Sequence, residues 1–295
     1  MNFCQHKTIY YCLIIFTAIM LSNRLNAAEK PSKPIPVFVS IQPQAYFVKR
    51  IGGDRVTVDV LLHAGKNPAT YAPSPAQMLK LVKARVYFRI GVPFENFLIS
   101  KIASSPQQIQ IVDTRTGIKL RKMVGRNHRQ EGGNDPHIWM SPVLVKIQAE
   151  TIYKTLVSLD PEGRVEYAKG LNSFLHDLDE LHKKISQSLA TVKGKTIFVF
   201  HPSFGYFADT YGIRQLAVEM EGKAPKGKNL SIFIKKAKKE RVHVIFVQPE
   251  FDSNAASKIA GAIDGVVVSI DPLAMDYIKN LEDMADKVYG ALKSR

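Results

Sequence analysis

The chain has 295 residues, of which 45% are hydrophobic and 23% charged, and at about 150 residues per domain this length predicts two lobes. These values argue against a disordered chain and against a fibrous repeat. The net charge of +15 first suggests nucleic acid or an anionic membrane as a partner, but the basic residues are spread along the chain without base-stacking aromatics between them, so we predict no nucleic-acid partner.

The N-terminus is typical of a cleaved export signal. Lys7 precedes an almost wholly apolar run at residues 9–21, and small residues that end at Ala27 offer a cleavage site. The apolar run is too short to cross about 30 Å of hydrocarbon, and neither Cys4 nor Cys12 follows it, as lipidation would require. We therefore expect a periplasmic, non-lipidated protein without a direct membrane anchor, and a mature chain without cysteines.

Apolar runs of strand length alternate with amphipathic runs of helix length after residue 34. In the first half the pattern predicts strands at 36–41, 56–62, 85–91 and 109–114. Helices are predicted between them, at 44–51, 74–84 and 93–103. Ser74 is expected to cap the second of these helices, with Pro75 at its first position.

The second half repeats this plan after one long helix. The pattern predicts the helix at 164–190, with apolar residues at three- and four-residue spacings: Leu171, Phe174, Leu178, Leu181, Ile185 and Leu189. At 1.5 Å per residue this helix spans roughly 40 Å and favours a rigid strut with limited domain closure. Strands are then predicted at 196–201, 214–220, 243–249 and 266–271.

Apolar strands bounded by helices imply parallel sheets covered on both faces. We therefore predict an α/β protein with two (β/α)4-type lobes joined by one long rigid backbone helix. The predicted boundaries are a signal peptide at 1–27, an N-terminal lobe at 28–163, a linking helix at 164–191 and a C-terminal lobe at 192–295. Because ligands of parallel sheets bind beyond the carboxyl ends of strands, we expect the site in a cleft between the lobes.

Three residues near strand ends are candidate metal ligands. His137 lies between Asp135 and the single tryptophan, Trp139, and His201 closes a strand. A neutral imidazole suits zinc or another divalent metal, but either residue is also consistent with a structural role, as a buried histidine bonded to a carbonyl or as a helix cap. Asp271 ends an apolar strand, where a carboxylate is unfavourable unless it is paired, bound to a cation or caps the last helix.

The motifs together resemble a known family, the ZnuA/TroA-like cluster A-I solute-binding proteins of zinc and manganese ABC importers. The motifs are GKNPATYAPSP at 65–75, NDPHIWMSP at 134–142, FHPSFGYFADTYG at 200–212 and SIDPL at 269–273. The resemblance covers residues 34–293 and implies a monomeric binding protein, not an enzyme. It would hand a divalent metal to an ABC permease and its ATPase. The implied cargo is zinc, with manganese or iron(II) as alternatives.

Carried over by position, His137 and His201 match the family's second and third ligands, and Asp271 matches its carboxylate ligand. A histidine at 201 favours zinc, because manganese-type members often have glutamate there.

One ligand of the family pattern is missing. The family has a histidine where this chain has Ala69, which cannot bind a metal. His63, Glu219, Glu250 or water could replace it, and we favour a carboxylate or water. Loss of a ligand predicts weak or altered metal selectivity. Even a residue that only hydrogen-bonds to a metal ligand typically contributes about 10- to 100-fold in affinity.

Three alternative functions stay open. One is capture of a chelated metal or an anion, because basic residues before the DPH motif would repel a free cation: Lys119, Arg121, Lys122, Arg126 and Arg129. Another is a three-ligand zinc hydrolase with Glu219 or Glu250 as general base, although no HExxH motif is present. The third is an adhesin role, for which the sequence offers no positive feature.

Overall fold

A computed structural model describes residues 33–103, 109–123, 133–218, 227–251 and 253–293. The predicted signal peptide and Glu219 lie outside these ranges. One compact unit begins at Ile35 and contains both sheets. Across the described ranges, no helix is both long and apolar enough to cross a membrane.

The first sheet has four parallel strands in the order β2-β1-β3-β4. The strands are β1 (Ile35–Val39), β2 (Val56–Val60), β3 (Val86–Arg89) and β4 (Gln110–Asp113). The helices of this half are α1 (Gln42–Gly52), α2 (Pro75–Leu81) and α3 (Glu95–Ala103). Ser74 caps α2 as predicted, because its side chain accepts a hydrogen bond from the Gln77 N–H while the Gln77 side chain bonds back to the Ser74 N–H.

The second sheet repeats this topology in the order β6-β5-β7-β8, again with all pairs parallel. Its strands are β5 (Thr196–Val199), β6 (Arg214–Ala217), β7 (Val244–Val247) and β8 (Val266–Ser269). Its helices are α6 (Gly205–Tyr211), α7 (Lys228–Lys239), α8 (Ser253–Gly261) and α9 (Tyr277–Lys293). The predicted α/β fold with two parallel sheets is thus confirmed. Strands are shorter than predicted, as at β5, which ends at Val199 although the predicted strand continues to His201.

Two helices follow one another between the sheets, α4 (Pro142–Leu159) and α5 (Arg164–Ser188). The long helix has 25 residues and ends two residues before the predicted position, at a short 3-10 turn, Ala190–Val192. Its buried residues are those that the spacing predicts, with Tyr167 added at the start. The helix packs against α4, α1 and α9, so elements from both halves of the chain share its apolar face.

Strand β5 shows how the core is divided. Ile197 and Val199 point into the main core, which both halves of the chain share. Phe198 and Phe200 point to the other side and pack with Phe233 of α7 and other residues of a second cluster. This alternation is the two-residue period of a strand buried on both faces. The carboxyl end of β5, where His201 follows, is therefore firmly supported.

Candidate metal site

His137 is held by the carboxylate of Asp135. The histidine is 6% exposed, and its backbone N–H donates to Asp135 Oδ1 at 3.0 Å. The ring Nδ1 lies 2.7 Å from the same oxygen. Because an ionised carboxylate only accepts hydrogen bonds, Nδ1 carries the proton and Nε2 is the nitrogen that can take a metal. The structural alternative of a histidine satisfied by a backbone carbonyl is therefore wrong.

His201 is held through its backbone by a buried glutamine. Gln248 Nε2 donates to the His201 carbonyl at 2.9 Å, and the His201 N–H donates to Gln248 Oε1 at 3.3 Å. The imidazole stacks on Phe251, with ring centroids 4.9 Å apart and planes at 24°. Helix α6 begins at Gly205 with Phe204 as its cap, so His201 does not cap it. The side-chain amide of Gln248 thus fixes the His201 backbone.

The two imidazoles lie next to each other, although the first follows the N-terminal sheet and the second follows β5. Their ring centroids are 5.4 Å apart, with planes at 71°. Zn–N bonds of about 2.0–2.1 Å and tetrahedral angles put two ligating imidazole centroids about 5 Å apart. The pair is therefore close to the separation at which both rings bind one zinc ion.

Asp271 lies in a turn after β8. Its Oδ1 accepts the N–H of Leu273 at 2.8 Å, and burial raises the pKa of the carboxyl above its ordinary value. It does not cap the last helix, since that helix begins at Tyr277 and its first turn bonds to Asp276. Trp139 Nε1 donates to the Pro272 carbonyl at 2.8 Å and so ties this turn to the segment of His137.

Glu250 follows β7 and is partly buried. Burial is the largest cause that raises its pKa, to about 7, and the negative charge of Asp271 adds to this. The Glu250 backbone N–H and His201 act in the opposite direction. Since such electrostatic effects require proximity, Glu250 lies in the neighbourhood of both His201 and Asp271.

The other described candidate for the missing ligand, His63, is less favourably placed than Glu250. His63 is exposed in the turn after β2. Ala69 is also exposed, and its N–H donates to Asn67 Oδ1 at 2.8 Å. Glu219 lies outside the described residues, as do Arg126 and Arg129 of the basic loop.

The structure thus brings His137 and His201 together, and the bond from Trp139 to Pro272 ties the turn of Asp271 to the segment of His137. In the part of the chain that the structure describes, no three His, Cys, Asp or Glu side chains form a ready-made metal-binding group. Asp135 is visible in the sequence only as a neighbour of His137, and the structure adds its bonds to the backbone and ring of that histidine. The two-residue spacing in DPH was the signal for it, because an aspartate there can reach both N–H groups of the histidine.

Comparisons with known proteins show the family to which this chain belongs. The chain matches the ZnuA family model, the periplasmic component A of a zinc-uptake complex, over residues 37–291. It is 24% identical over 263 residues to the high-affinity zinc uptake system protein ZnuA of Bacillus subtilis, with 85% of this chain and 81% of the relative covered. The manganese ABC transporter substrate-binding lipoprotein PsaA of Streptococcus pneumoniae is 23% identical over 304 residues, with 97% and 96% covered.

A solved structure is also similar over most of the chain. The crystal structure of a ZnuA deletion mutant with zinc bound has a TM-score of 0.82 and 37% sequence identity, and the match covers 88% of this chain and 98% of the other. The family model covers most of the chain, and the fold agrees with it. The chain belongs to the ZnuA family of solute-binding proteins.

Proposed function

We propose that this protein captures a divalent transition metal, zinc in the first place, between its two lobes and delivers it to an ABC importer permease with its ATPase. The observation that carries the proposal is the pair of imidazoles, His137 and His201, with centroids 5.4 Å apart and the Nδ1 of His137 already held by a carboxylate. The protein is a binding protein and not an enzyme. The lobes are proposed to comprise residues 28–163 and 192–295, with the linking helix at 164–191.

The proposed ligands are His137, His201 and Asp271, with Glu250 or water as the fourth. Glu250 is preferred to His63 because the charges of His201 and Asp271 both act on it, whereas His63 is exposed in the turn after β2. Two imidazoles with one or two carboxylates suit zinc, and they also permit manganese or iron(II). Capture of an anion is less favoured, because Arg121 is already paired with two carboxylates.

The test is the melting temperature of the mature, chelator-stripped protein with and without zinc, manganese and iron(II). At a concentration 100 times Kd, binding adds about 2.7 kcal/mol, which corresponds to roughly 5–10 °C for a chain of this size. We expect the largest shift with zinc and none in His137→Ala or His201→Ala. His176→Ala, at an exposed position of α5, is the control and should keep the shift. If no free cation shifts the wild type, the cargo is a chelated metal or an anion.

The cellular form is a separate proposal. The match to a periplasmic component and the predicted signal favour a cleaved, non-lipidated periplasmic monomer, whereas PsaA is named a lipoprotein. The intact mass of the exported protein checks this, with cleavage after Ala27 expected. A mass that includes a lipid, or cleavage before a cysteine, would contradict it, and gel filtration checks the oligomeric state.

A further inference from the structure

The geometry points to Arg121 as a positioning residue of the metal site: it holds the Asp135 carboxylate in the orientation that fixes His137. This inference rests on the proposed role of His137 as a ligand. The expectation from sequence was that Arg121, as part of the basic loop, would repel a free cation. Its position in the structure gives it a different function.

Hydrogen bonds hold the backbone at Arg121 next to the backbone at Asp135. Lys122 forms an antiparallel bridge with Asn134, and the Asp135 N–H donates to the Arg121 carbonyl at 2.9 Å. Tyr206 of α6 closes the arrangement, because its hydroxyl accepts the Arg121 N–H at 3.0 Å and donates to the Asp135 carbonyl at 3.1 Å. The two side chains therefore start from fixed neighbouring positions.

The Asp135 carboxylate lies between an imidazole and a guanidinium. Asp135 is 1% exposed, and its Oδ1 takes both N–H groups of His137, whereas its Oδ2 faces Arg121 Nη1 at 3.8 Å. The distance is that of an ion pair and not of a hydrogen bond, and Nη1 is buried without a hydrogen-bond partner in the described structure. A buried carboxylate is unfavourable without a compensating charge, and the Arg121 guanidinium supplies one at this distance. Because the guanidinium attracts Oδ2, it also directs Oδ1 towards the histidine.

A glycine leaves room for this guanidinium. A Cβ at Gly205 would overlap Arg121 Nη1 and would lie 2.8 Å from Asp135 Oδ2. Gly205 is the first residue of α6, a position at which the helical backbone does not itself need glycine. The Arg121 guanidinium occupies the space that a side chain at position 205 would need, and this explains the glycine. Gly205→Ala should therefore displace the guanidinium without removing its charge.

The charge of Arg121 is also compensated from the other side. Its Nε lies 3.4 Å from Asp209 Oδ2 on α6. With two carboxylates around it, Arg121 exerts much less repulsion on an incoming cation than a free arginine would. Its main effect on metal binding passes through Asp135 and His137.

The experiment measures zinc affinity by chelator competition in Arg121→Met, Asp135→Asn and the double variant. Arg121→Met and Asp135→Asn should each weaken binding by about 10- to 100-fold, the range typical of partners that orient a metal ligand. In the Asp135→Asn background, Arg121→Met should have no further effect, because the residue acts through that carboxylate. The control is Lys122→Met, which removes one positive charge from an exposed neighbouring residue and should leave the affinity unchanged.

Gly205→Ala provides a second arm that keeps the inference testable if Arg121→Met does not fold. It should weaken zinc binding in the wild type and have little further effect in the Asp135→Asn background, because the displaced guanidinium and the crowded Oδ2 both act through that carboxylate. The low-field proton NMR signal of His137 Nδ1–H should shift in Arg121→Met and in Gly205→Ala. A general loss of stability would not cause this shift.

Tighter binding by Arg121→Met, or equal loss with and without the Asp135 carboxylate, would overturn the inference. Wild-type protein that binds no zinc, or His137→Ala that still binds it, would instead overturn the proposed function.

Discussion

Glu250 is a partly buried side chain whose charge changes near neutral pH. Burial and the charge of Asp271 raise its pKa from 4.5 to about 7 in the folded protein. The folded state therefore holds a proton there that the unfolded chain has already lost between these two pH values. The associated stability is fully present below pH 4.5 and is lost as the pH rises through 7. Above that range, the metal-free protein contains an unfavourably buried negative charge.

Glu250→Gln should remove this pH dependence, because glutamine resembles the neutral form of the side chain. In metal-free protein we expect the variant to gain melting temperature relative to wild type at pH 8, and to gain less or nothing at pH 5. Glu180→Gln, at an exposed position of α5, is the matched control and should show no such difference. An equal effect of Glu250→Gln at both pH values would show that Glu250 is already ionised at pH 5.

Position 69 tests whether the missing ligand can be restored. Ala69 is exposed in a turn that is anchored by Tyr71, whose hydroxyl donates to the Leu61 carbonyl and lies 2.8 Å from Gln77 Oε1. Ala69→His should tighten zinc binding, because it would supply a third imidazole in place of Glu250 or water as the fourth ligand. Titration against a competing chelator measures the change, with His63→Ala as the comparison. Unchanged affinity in Ala69→His would mean that position 69 does not face the metal.

At the scale of the elements, the packing of α5 against α1 depends on one glycine. A Cβ at Gly170 would lie 2.6 Å from the Ile51 carbonyl oxygen and 2.7 Å from that of Arg50. Both atoms belong to the backbone at the end of α1, so neither can move aside without shifting the helix. Glycine inside a helix is normally unfavourable relative to alanine. Here the close approach of the two helices explains why it is present.

Gly170→Ala should therefore destabilise the protein despite its better helix propensity. We expect a loss of about 1–3 kcal/mol, typical of overpacking, and a melting temperature lower by roughly 2–12 °C. Gly290→Ala in α9 is the matched control, because its Cβ would meet nothing within 4 Å. That variant should be unchanged or stabilised by up to about 1 kcal/mol. Stabilisation by Gly170→Ala would show that α1 and α5 can separate easily.

The elements themselves could be predicted because they depend on local pattern. The apolar spacing of α5 identified its buried face, and Ser74 followed by Pro75 marked the start of α2. The partners of the site residues could not be found in this way, because they come from distant segments. Gln248 reaches His201 across 47 positions, and no periodicity indicates such a pair.

At the scale of the whole molecule, the two halves of the chain are joined by direct bonds as well as by α5. Tyr277 of α9 donates to the Trp139 carbonyl at 2.7 Å and packs edge-on against Phe47 of α1 at 4.9 Å. Thr210 of α6 donates to Ser141 Oγ at 2.8 Å at the start of α4. Separating the halves would break these buried contacts together. Such an arrangement favours small local adjustments over a wide hinge motion.

Zinc binding should therefore change the radius of gyration by less than about 1 Å, as is usual when binding partners are largely preorganised. Small-angle X-ray scattering of the chelator-stripped and the zinc-loaded protein measures this. His137→Ala with zinc added is the control and should scatter like the metal-free wild type, since it lacks a proposed ligand. A larger change in the wild type alone would mean that α5 bends or that the contacts of Tyr277 and Thr210 open. In that case the linking helix would act as a hinge, and release to the permease would involve domain opening and not a local rearrangement of the ligands.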